Sequence, residues 1–215
     1  MERTRKPFQG ITNIVRFNWH FYLLAGVLGL SILAFDYYLN HQYFLYASIL
    51  CLLVVVPVLL SLLASFYVYD LSNLYRLDWL DKLNIAPKGR ILNINAGFDE
   101  TSVLLSEKYP DSELHVLDFY DPGKHTEISI RRARNAYPPY EGTTQISTSD
   151  LLLQQDSADS IFVIFSAHEI RNDVERVNFF EELNRVAKQS GKIIVTEHLR
   201  DVSNFLAYTI GAFHF

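Results

Sequence analysis

Two long runs without a charged side chain constrain this chain more than any other feature of its sequence. No Asp, Glu, Lys or Arg occurs in residues 17–35, nor again in residues 37–69. About 20 apolar residues of α-helix span the hydrocarbon core of a bilayer, and residues 19–39 and 44–68 each reach that length. We therefore predict a transmembrane hairpin over residues 17–69, with Asn40-His41-Gln42 as its turn.

Residue types within the two runs fit this prediction. Gly26 and Gly29 allow helices to approach closely, and Pro57 is expected to kink the second helix. Aromatic residues gather at the helix ends, as they do at membrane interfaces: Trp19, Phe21, Tyr22, Tyr37, Tyr38, Tyr43, Phe66, Tyr67 and Tyr69. Two alternatives stay open. One is a cleaved signal peptide, whose apolar region is usually about 7–15 residues, and the other is a pair of core helices in a soluble protein.

The distribution of basic residues predicts the orientation of the hairpin. Positive residues collect on the cytoplasmic side of membrane proteins. Here they flank both ends of the hairpin and are absent from its turn: Arg3, Arg5, Lys6 and Arg16 before it, and Arg76, Lys82, Lys88 and Arg90 after it. We expect residues 1–16 and the C-terminal domain to lie in the cytoplasm, with the hairpin in a bacterial inner membrane.

Residues 70–86 are expected to link the hairpin to this domain. Leucine recurs at every third position from Leu74 to Leu83, with charged residues between. This pattern predicts a short amphipathic helix at the membrane interface. A linker helix that packs on the next domain is the alternative. The sequence Ala86-Pro87-Lys88-Gly89 breaks the helix, so the domain is expected to span residues 87–215.

Strand and helix patterns alternate in the C-terminal domain. Short apolar runs predict strands over residues 90–94, 113–117, 144–147, 160–165 and 192–196, and helices are predicted over residues 100–109, 127–136 and 173–188. This alternation is typical of an α/β, Rossmann-like fold, in which helices cover both faces of a parallel sheet. An apolar segment over residues 205–215 is expected to begin a further helix.

Composition excludes several classes of protein. With 49% hydrophobic and 20% charged residues, the chain is neither disordered nor fibrous. Residues 70–215 have a net charge of −7, which argues against a nucleic-acid partner because phosphate binding needs clustered Lys and Arg. Cys51 is the single cysteine, so one chain forms neither a disulfide nor a metal site built of cysteines.

Candidate ligand-binding residues follow the predicted strands, because parallel sheets bind ligands outside the carboxyl ends of their strands. The first strand is followed by a loop with two small residues, Ala96 and Gly97, which let a ligand approach the backbone. The second strand ends at Asp118, where a carboxylate suits ribose hydroxyls. Ser149 and Asp150 follow the third strand.

Residues 90–200 resemble a class I S-adenosylmethionine-dependent methyltransferase. Residues 91–101 are similar to the family's first motif, and Asp118 and Ser149-Asp150 match its ribose and adenine positions. Residues 182–195 match the helix, glycine turn and fifth strand of the family. The resemblance implies S-adenosylmethionine as cofactor and no metal. It implies these cofactor-binding residues: Asn93, Asn95, Ala96, Gly97, Asp118, Phe119, Ser149, Asp150 and Ser166.

The chain departs from the family pattern in three places. Asn95 and Asp99 stand where the family usually has glycines, and Asn93 replaces an aspartate. Asn95 is expected to tolerate a left-handed turn, whereas Asp99 could strengthen or weaken cofactor binding. The family's sixth and seventh strands have no counterpart before Phe215, so the domain is expected to be incomplete at its C-terminus.

Two His–Glu pairs are candidates for catalysis, because they follow the fourth and fifth strands: His168-Glu169 and Glu197-His198. Histidine titrates near neutral pH and suits a general base. The assigned catalytic residues are His168 and Glu169. The alternatives are a structural network that includes Arg171 and, less favoured, a metal site. The basic run Arg131-Arg132-Ala133-Arg134 is either a solvated helix face or a contact to lipid headgroups.

The sequence therefore predicts a membrane-anchored methyltransferase whose partners are the bilayer and a lipophilic small-molecule acceptor. The alternative is a methyltransferase-like scaffold without activity, which the altered glycine loop would explain. A hairpin that serves only assembly with other membrane proteins is a third possibility.

Overall fold

The structure is a computed structural model that describes residues 5–85 and 88–197, together with Val202 and Phe205. The chain forms two compact units, here called the hairpin unit (residues 5–72) and the sheet domain (residues 73–197). The predicted break at Ala86-Pro87, the second member of the pair Glu197-His198, and most of the apolar segment 205–215 lie outside the described residues.

The described residues of the hairpin unit form three α-helices, α1 (Gln9–Phe17), α2 (Trp19–Tyr38) and α3 (Phe44–Phe66), and a π-helical turn, Tyr67–Leu71, follows α3. By length and composition, α2 and the helical segment that begins with α3 could each cross a membrane. Their apolar side chains are largely exposed, for example Leu30 at 69% and Leu63 at 64%. These helices are therefore not covered by the rest of the hairpin unit, as core helices would be.

The one charged residue between the two apolar runs, Asp36, stabilises the turn between α2 and α3. The buried carboxylate of Asp36 accepts hydrogen bonds from His41 Nδ1 at 2.9 Å and from the backbone N–H of Tyr43 at 3.2 Å. A buried charge is costly unless it is hydrogen-bonded. These hydrogen bonds explain why a charged residue is tolerated between the two apolar runs.

Helix α1 was not anticipated from the sequence. At its N-terminus, the backbone N–H groups of Gly10 and Ile11 each donate to the carboxylate of Asp70 at 2.8 Å. These groups have no partner within the helix, and a negative charge is favourable at this end. Asp70 follows α3, so this contact places the chain before α2 beside the chain after α3.

The linker is not one helix. It forms two short 3₁₀ helices, Asn73–Arg76 and Asp78–Leu83, separated at Leu77, whose φ is 56°. Leu77 and Leu80 are fully buried in an apolar cluster with Ile91 and Phe162 of the sheet. The predicted single helix is therefore not formed, and two of the four regularly spaced leucines pack on the sheet domain; the interfacial position of the linker stays a prediction. The alternative of a linker packed on the next domain describes this packing.

The sheet domain contains five parallel strands in the order β3-β2-β1-β4-β5. The strands are β1 (Arg90–Asn95), β2 (Glu113–Asp118), β3 (Thr144–Gln145), β4 (Ala158–Ile164) and β5 (Ala187–Thr196). The helices between them are α4 (Ser102–Lys108), α5 (Ile128–Ala136) and α6 (Asp173–Val186). The predicted Rossmann-like α/β fold is confirmed, and the strand order reverses between β1 and β4.

Both faces of the sheet are covered, as continuous apolar strands require. On one face, Leu92 and Ile161 pack with Phe179 and Leu183 of α6. On the other, the linker leucines form the cluster described above. A ligand site is therefore expected at the edge of the sheet where the carboxyl ends of the strands meet the loops.

Candidate active site

The loop after β1 is built by side chains that replace the usual glycines. Asn95 Oδ1 accepts a hydrogen bond from the backbone N–H of Gly97 at 3.0 Å. The side chain of Asn95 thus stabilises the turn. Asn95 has no positive φ, so the expected left-handed conformation at this residue is wrong. Gly97 takes that role with a φ of 96°. A Cβ on Gly97 would also come within 2.8 Å of Arg134 and Tyr120, so only glycine fits.

Asp99 and Asn93 fasten the loop to α4. Asp99 Oδ1 accepts the backbone N–H groups of Thr101 at 3.0 Å and Ser102 at 2.9 Å. Its carboxylate therefore caps the start of α4. Asn93 Nδ2 donates to the hydroxyls of the same two residues at 2.9 and 2.8 Å. These two departures from the family pattern therefore hold the loop to the start of α4 by hydrogen bonds.

Asp118 lies beside this loop because β1 and β2 pair Asn95 with Asp118. Its side chain is 4% exposed. One carboxylate oxygen accepts the backbone N–H of Tyr120 at 2.9 Å, and the other accepts Nη1 of Arg134 at 2.5 Å. The predicted neighbourhood of the first loop and Asp118 is therefore present.

Arg134 and Tyr120 belong to the site although neither was singled out as a ligand from the sequence. The Arg134 guanidinium lies over the Tyr120 ring, with 4.3 Å between Cζ and the ring centroid, and donates to the carbonyl of Gly97 at 3.2 Å. Arg134 reaches the site from α5. The sequence showed it only as one member of a basic run, since three arginines within four residues do not reveal which one faces inward.

A cavity of about 530 Å³ opens next to these residues. Tyr120, Arg134 and the loop after β3 line it, with Ser147 and Thr148 from that loop. At its wall, Glu175 accepts hydrogen bonds from Lys124 Nζ at 2.8 Å and from Thr148 Oγ1 at 2.6 Å. Hydrogen bonds from Lys124 and Thr148 lower the pKa of Glu175. The cavity thus begins where β2 and β3 end.

A second group of side chains follows β4 and β5. His168 Nδ1 lies 2.7 Å from Glu197 Oε2, and His168 Nε2 lies 3.4 Å from Glu169 Oε1. Glu197 Oε1 also accepts the backbone N–H groups of Ser166, Ala167 and His168. The carboxylate of Glu197 therefore fixes both the His168 ring and the backbone around it.

The charge state of His168 follows from these contacts. Burial alone would lower the pKa of His168, but hydrogen bonds to Glu169 and Glu197 and the charges of both carboxylates outweigh it and raise the pKa to about 9. His168 is consequently an imidazolium at neutral pH. This argues against the predicted role of His168 as a general base, because its ring nitrogens already carry both protons.

Comparison with known proteins gives sequence relatives. No family model matches the chain. The ubiquinone/menaquinone biosynthesis C-methyltransferase UbiE of Geotalea daltonii is 27% identical over 133 residues, which cover 60% of this chain and 54% of that protein. The UbiE of Syntrophotalea carbinolica is 28% identical over 155 residues, which cover 69% of this chain and 59% of that protein. The chain spans less than two thirds of the length of these curated relatives.

The sheet domain has the Rossmann-like fold of class I S-adenosylmethionine-dependent methyltransferases, and for that fold it is called the methyltransferase domain below. Its strand order and its two sequence relatives agree with the resemblance of residues 90–200 to that family. Among solved structures, a SAM-dependent methyltransferase from Aquifex aeolicus is 18% identical with a TM-score of 0.44, over 67% of this chain and 74% of that one.

The methyltransferase domain offers groups that fit the amino-acid part of this cofactor. Within the part of the chain that the structure describes, Asn93 Oδ1 and Asn95 Nδ2 are buried without a hydrogen-bond partner. One is an acceptor and the other a donor. S-adenosylmethionine carries an ammonium, which donates, and a carboxylate, which accepts. Unsatisfied buried polar atoms are costly, so this pair fits a ligand of that chemistry.

The remaining residues assigned from the sequence lie in different surroundings of the methyltransferase domain. Phe119 packs in the core against Phe179 and, like its neighbour Tyr120, lines the cavity. Ser166 is buried and donates to the carbonyl of Ile94 at 2.8 Å. Ser149 and Asp150 are exposed in the turn next to the cavity. Ala96 is buried in the loop, and the cofactor roles of these residues stay predictions.

Two alternatives from the sequence concern a metal site and a structural network. Among residues 5–85 and 88–197 no group of three His, Cys, Asp or Glu has the arrangement of a metal site. Arg171 Nη2 donates to Glu127 Oε1 at 2.6 Å. His168, Glu169 and Glu197 lie together and are here called the histidine cluster.

Proposed function

We propose that the chain is a membrane-anchored S-adenosylmethionine-dependent methyltransferase that methylates a carbon atom of a lipophilic acceptor. The observation that carries this proposal is the pairing of Asn95 with Asp118. It puts the glycine loop and a buried carboxylate side by side at the edge where parallel sheets of this type bind nucleotides.

The acceptor class is inferred from the relatives and from the hairpin unit. Both relatives are named as C-methyltransferases of ubiquinone and menaquinone biosynthesis. A domain tethered to a bilayer meets membrane-dissolved molecules at a high effective concentration. A quinone-type or isoprenoid acceptor suits both facts.

Membrane anchoring is supported by three features of the hairpin unit. Helices α2 and α3 are long and apolar, and their side chains are largely exposed. The charge of Asp36 is hydrogen-bonded in the turn. The contact of Asp70 with Gly10 and Ile11 keeps both flanks of the hairpin at one end, which agrees with basic residues at both flanks.

The histidine cluster is the candidate for proton transfer. S-adenosylmethionine supplies a methyl group held by a positively charged sulfur, and a carbon that gains this methyl must lose a proton. His168 is already protonated at neutral pH, so the base has to be a carboxylate. Glu169, whose side chain is 7% exposed and lies next to the imidazolium, is the residue we assign to accept the proton.

Lipid labelling tests this function. Membranes that contain or lack the protein are incubated with S-adenosylmethionine labelled in its methyl group, and lipids are then extracted. We expect labelled lipid only with the protein, and a loss of at least about tenfold in Glu169→Gln, since general-base catalysis contributes about 10²–10⁴-fold. Glu181→Gln changes an exposed glutamate of α6 and serves as the matched control. Label that appears only in protein or soluble molecules would contradict a lipophilic acceptor.

Cysteine labelling tests the orientation. After Cys51→Ser, single cysteines are placed at Gln42 in the turn and at Lys88 beyond the hairpin. We expect a membrane-impermeant maleimide added outside intact cells to modify the first and not the second. Modification at Lys88 from outside would contradict the cytoplasmic placement of the methyltransferase domain.

An inactive scaffold remains the second candidate, and one contact favours it. Arg134 already occupies one oxygen of Asp118, the side chain expected to hold the ribose. Calorimetry with S-adenosylmethionine and its demethylated product separates the two functions. No heat with either compound, in the intact chain, supports the scaffold.

A further inference from the structure

The contact between Arg134 and Asp118 has a consequence for the nucleotide half of the site. Nη1 of Arg134 donates at once to Asp118 Oδ2 at 2.5 Å and to the carbonyl of Gly97 at 3.2 Å. Asp118 ends β2, and Gly97 lies in the loop that follows the neighbouring strand β1. One guanidinium therefore bridges the glycine loop and the acidic residue, the two groups between which nucleotide-binding sheets of this kind hold a ribose.

The bridge is also packed from the side. The guanidinium carbon Cζ lies over the Tyr120 ring, 4.3 Å from its centroid. The space above Gly97 is so closely filled that a Cβ there would lie 2.8 Å from both Arg134 Nη1 and Tyr120 Cδ2. A stacked and hydrogen-bonded arginine loses little freedom when it is held in this way. The arrangement has a defined geometry and is not the loose contact of a surface side chain.

We propose that Arg134 is a latch that competes with the cofactor for Asp118 and has to be displaced when the cofactor binds. The inference rests on the proposed function, because it assigns the ribose to Asp118. Arg134 is 31% exposed and reaches the site from the surface helix α5, so it has solvent into which it can move. The cavity beside it provides room for that movement.

The latch predicts a specific change in cofactor affinity. When only a fraction of the molecules is open, the apparent dissociation constant is the intrinsic one divided by that fraction. Arg134→Met keeps an unbranched apolar stem and removes the charge and the donors. If the latch is closed in nine molecules of ten or more, this substitution tightens binding by about tenfold or more. A residue that merely supports the site would weaken binding when removed.

Salt dependence provides a second signature. The latch is a partly exposed ion pair, and salt screens such pairs. Rising salt should therefore tighten the binding of cofactor to the wild-type chain and leave the affinity of Arg134→Met almost unchanged. Arg134→Lys retains the charge but neither the planar fork nor the stacking, so its affinity should lie between the two.

The experiment measures S-adenosylhomocysteine binding by calorimetry in the full chain, at low and high salt. The variants are Arg134→Met and Arg134→Lys. Arg131→Met is the control, since it removes the same charge from an exposed position of the same helix. The arginine side-chain resonances in ¹⁵N spectra give an independent readout. We expect one guanidinium with restricted rotation, which is absent in Arg134→Met and becomes mobile when S-adenosylhomocysteine is added.

Each outcome decides. Tighter binding in Arg134→Met, with the control unchanged, supports the latch. Equal or weaker binding in Arg134→Met overturns it and leaves the proposed function standing, as does a guanidinium that stays restricted after the ligand is bound. Absence of binding to the wild type and all three variants overturns the proposed function and the latch together.

Discussion

The charge on His168 depends on two carboxylates, and one of them can be neutralised without a change of shape. Glu197→Gln keeps an oxygen that can accept the backbone N–H groups of Ser166 and Ala167, now at 3.1 and 2.6 Å. It removes the negative charge 2.7 Å from His168 Nδ1. The substitution thus separates the electrostatic role of Glu197 from its role in holding the loop.

The size of the effect follows from the pKa of His168. That pKa is raised from 6.5 to about 9, a preference for the protonated form of about 3 kcal/mol at about 1.4 kcal/mol for each pKa unit. Glu169 and Glu197 both raise it against the opposing effect of burial. Loss of one charge should therefore lower the pKa of His168 by at least about one unit.

Stability changes with pH in a direction that is fixed by the sign of this shift. Because the pKa of His168 is higher in the folded than in the unfolded chain, the folded state binds the proton more tightly. The resulting stabilisation is complete below about pH 6.5 and is lost as the pH rises through about 9. In Glu197→Gln the pH range over which this stabilisation is lost should narrow, since the pKa of His168 in the folded chain lies closer to 6.5.

Histidine Cε1–H resonances followed in a pH titration measure these values directly, with His168→Gln to assign the signal. Glu113→Gln is the matched control, because Glu113 also contacts a histidine, His115 at 2.8 Å, but stands exposed. A His168 that titrates near 6.5 in the wild-type chain would refute the reasoning, and so would a pKa that Glu197→Gln leaves unchanged.

Three further substitutions test the cofactor site, the linker and the hairpin unit. Asp118→Ala should weaken S-adenosylhomocysteine binding about 10- to 100-fold in calorimetry, because the ribose hydroxyls lose hydrogen bonds to a charged acceptor. Asp111→Ala changes an exposed aspartate and should have no effect. Leu80→Ala empties a fully buried position and should destabilise the methyltransferase domain by about 2–5 kcal/mol in denaturant unfolding, whereas the same change at the partly exposed Leu83 should cost far less. Asp70→Ala leaves two helix N–H groups without their acceptor, so amide exchange at Gly10 and Ile11 should accelerate by at least about tenfold; unchanged exchange would contradict the role assigned to this carboxylate.

The periodicity and the length of apolar runs were enough to predict the sheet and the two long helices. Short apolar runs with helical patterns between them predicted a parallel sheet, because a crossover helix lets the next strand run in the same direction. The strand ends then placed Asn95 and Asp118 on neighbouring strands, and the structure pairs these residues. The two apolar runs likewise predicted two long helices, and both are present.

Contacts between distant parts of the chain decided the rest. Leucines at every third position in the linker look the same whether they meet a membrane or a sheet, and only the fold shows that Leu77 and Leu80 are buried. The inward arginine among three, Arg134, is selected by the position of α5 above Asp118 and Tyr120. The charge of His168 depends on Glu169 and on Glu197, which directly follows β5 and is 29 residues away in the sequence. A side chain's partners and its pKa depend on what the fold brings within a few ångströms, and that distance is not contained in the spacing of residues along the chain.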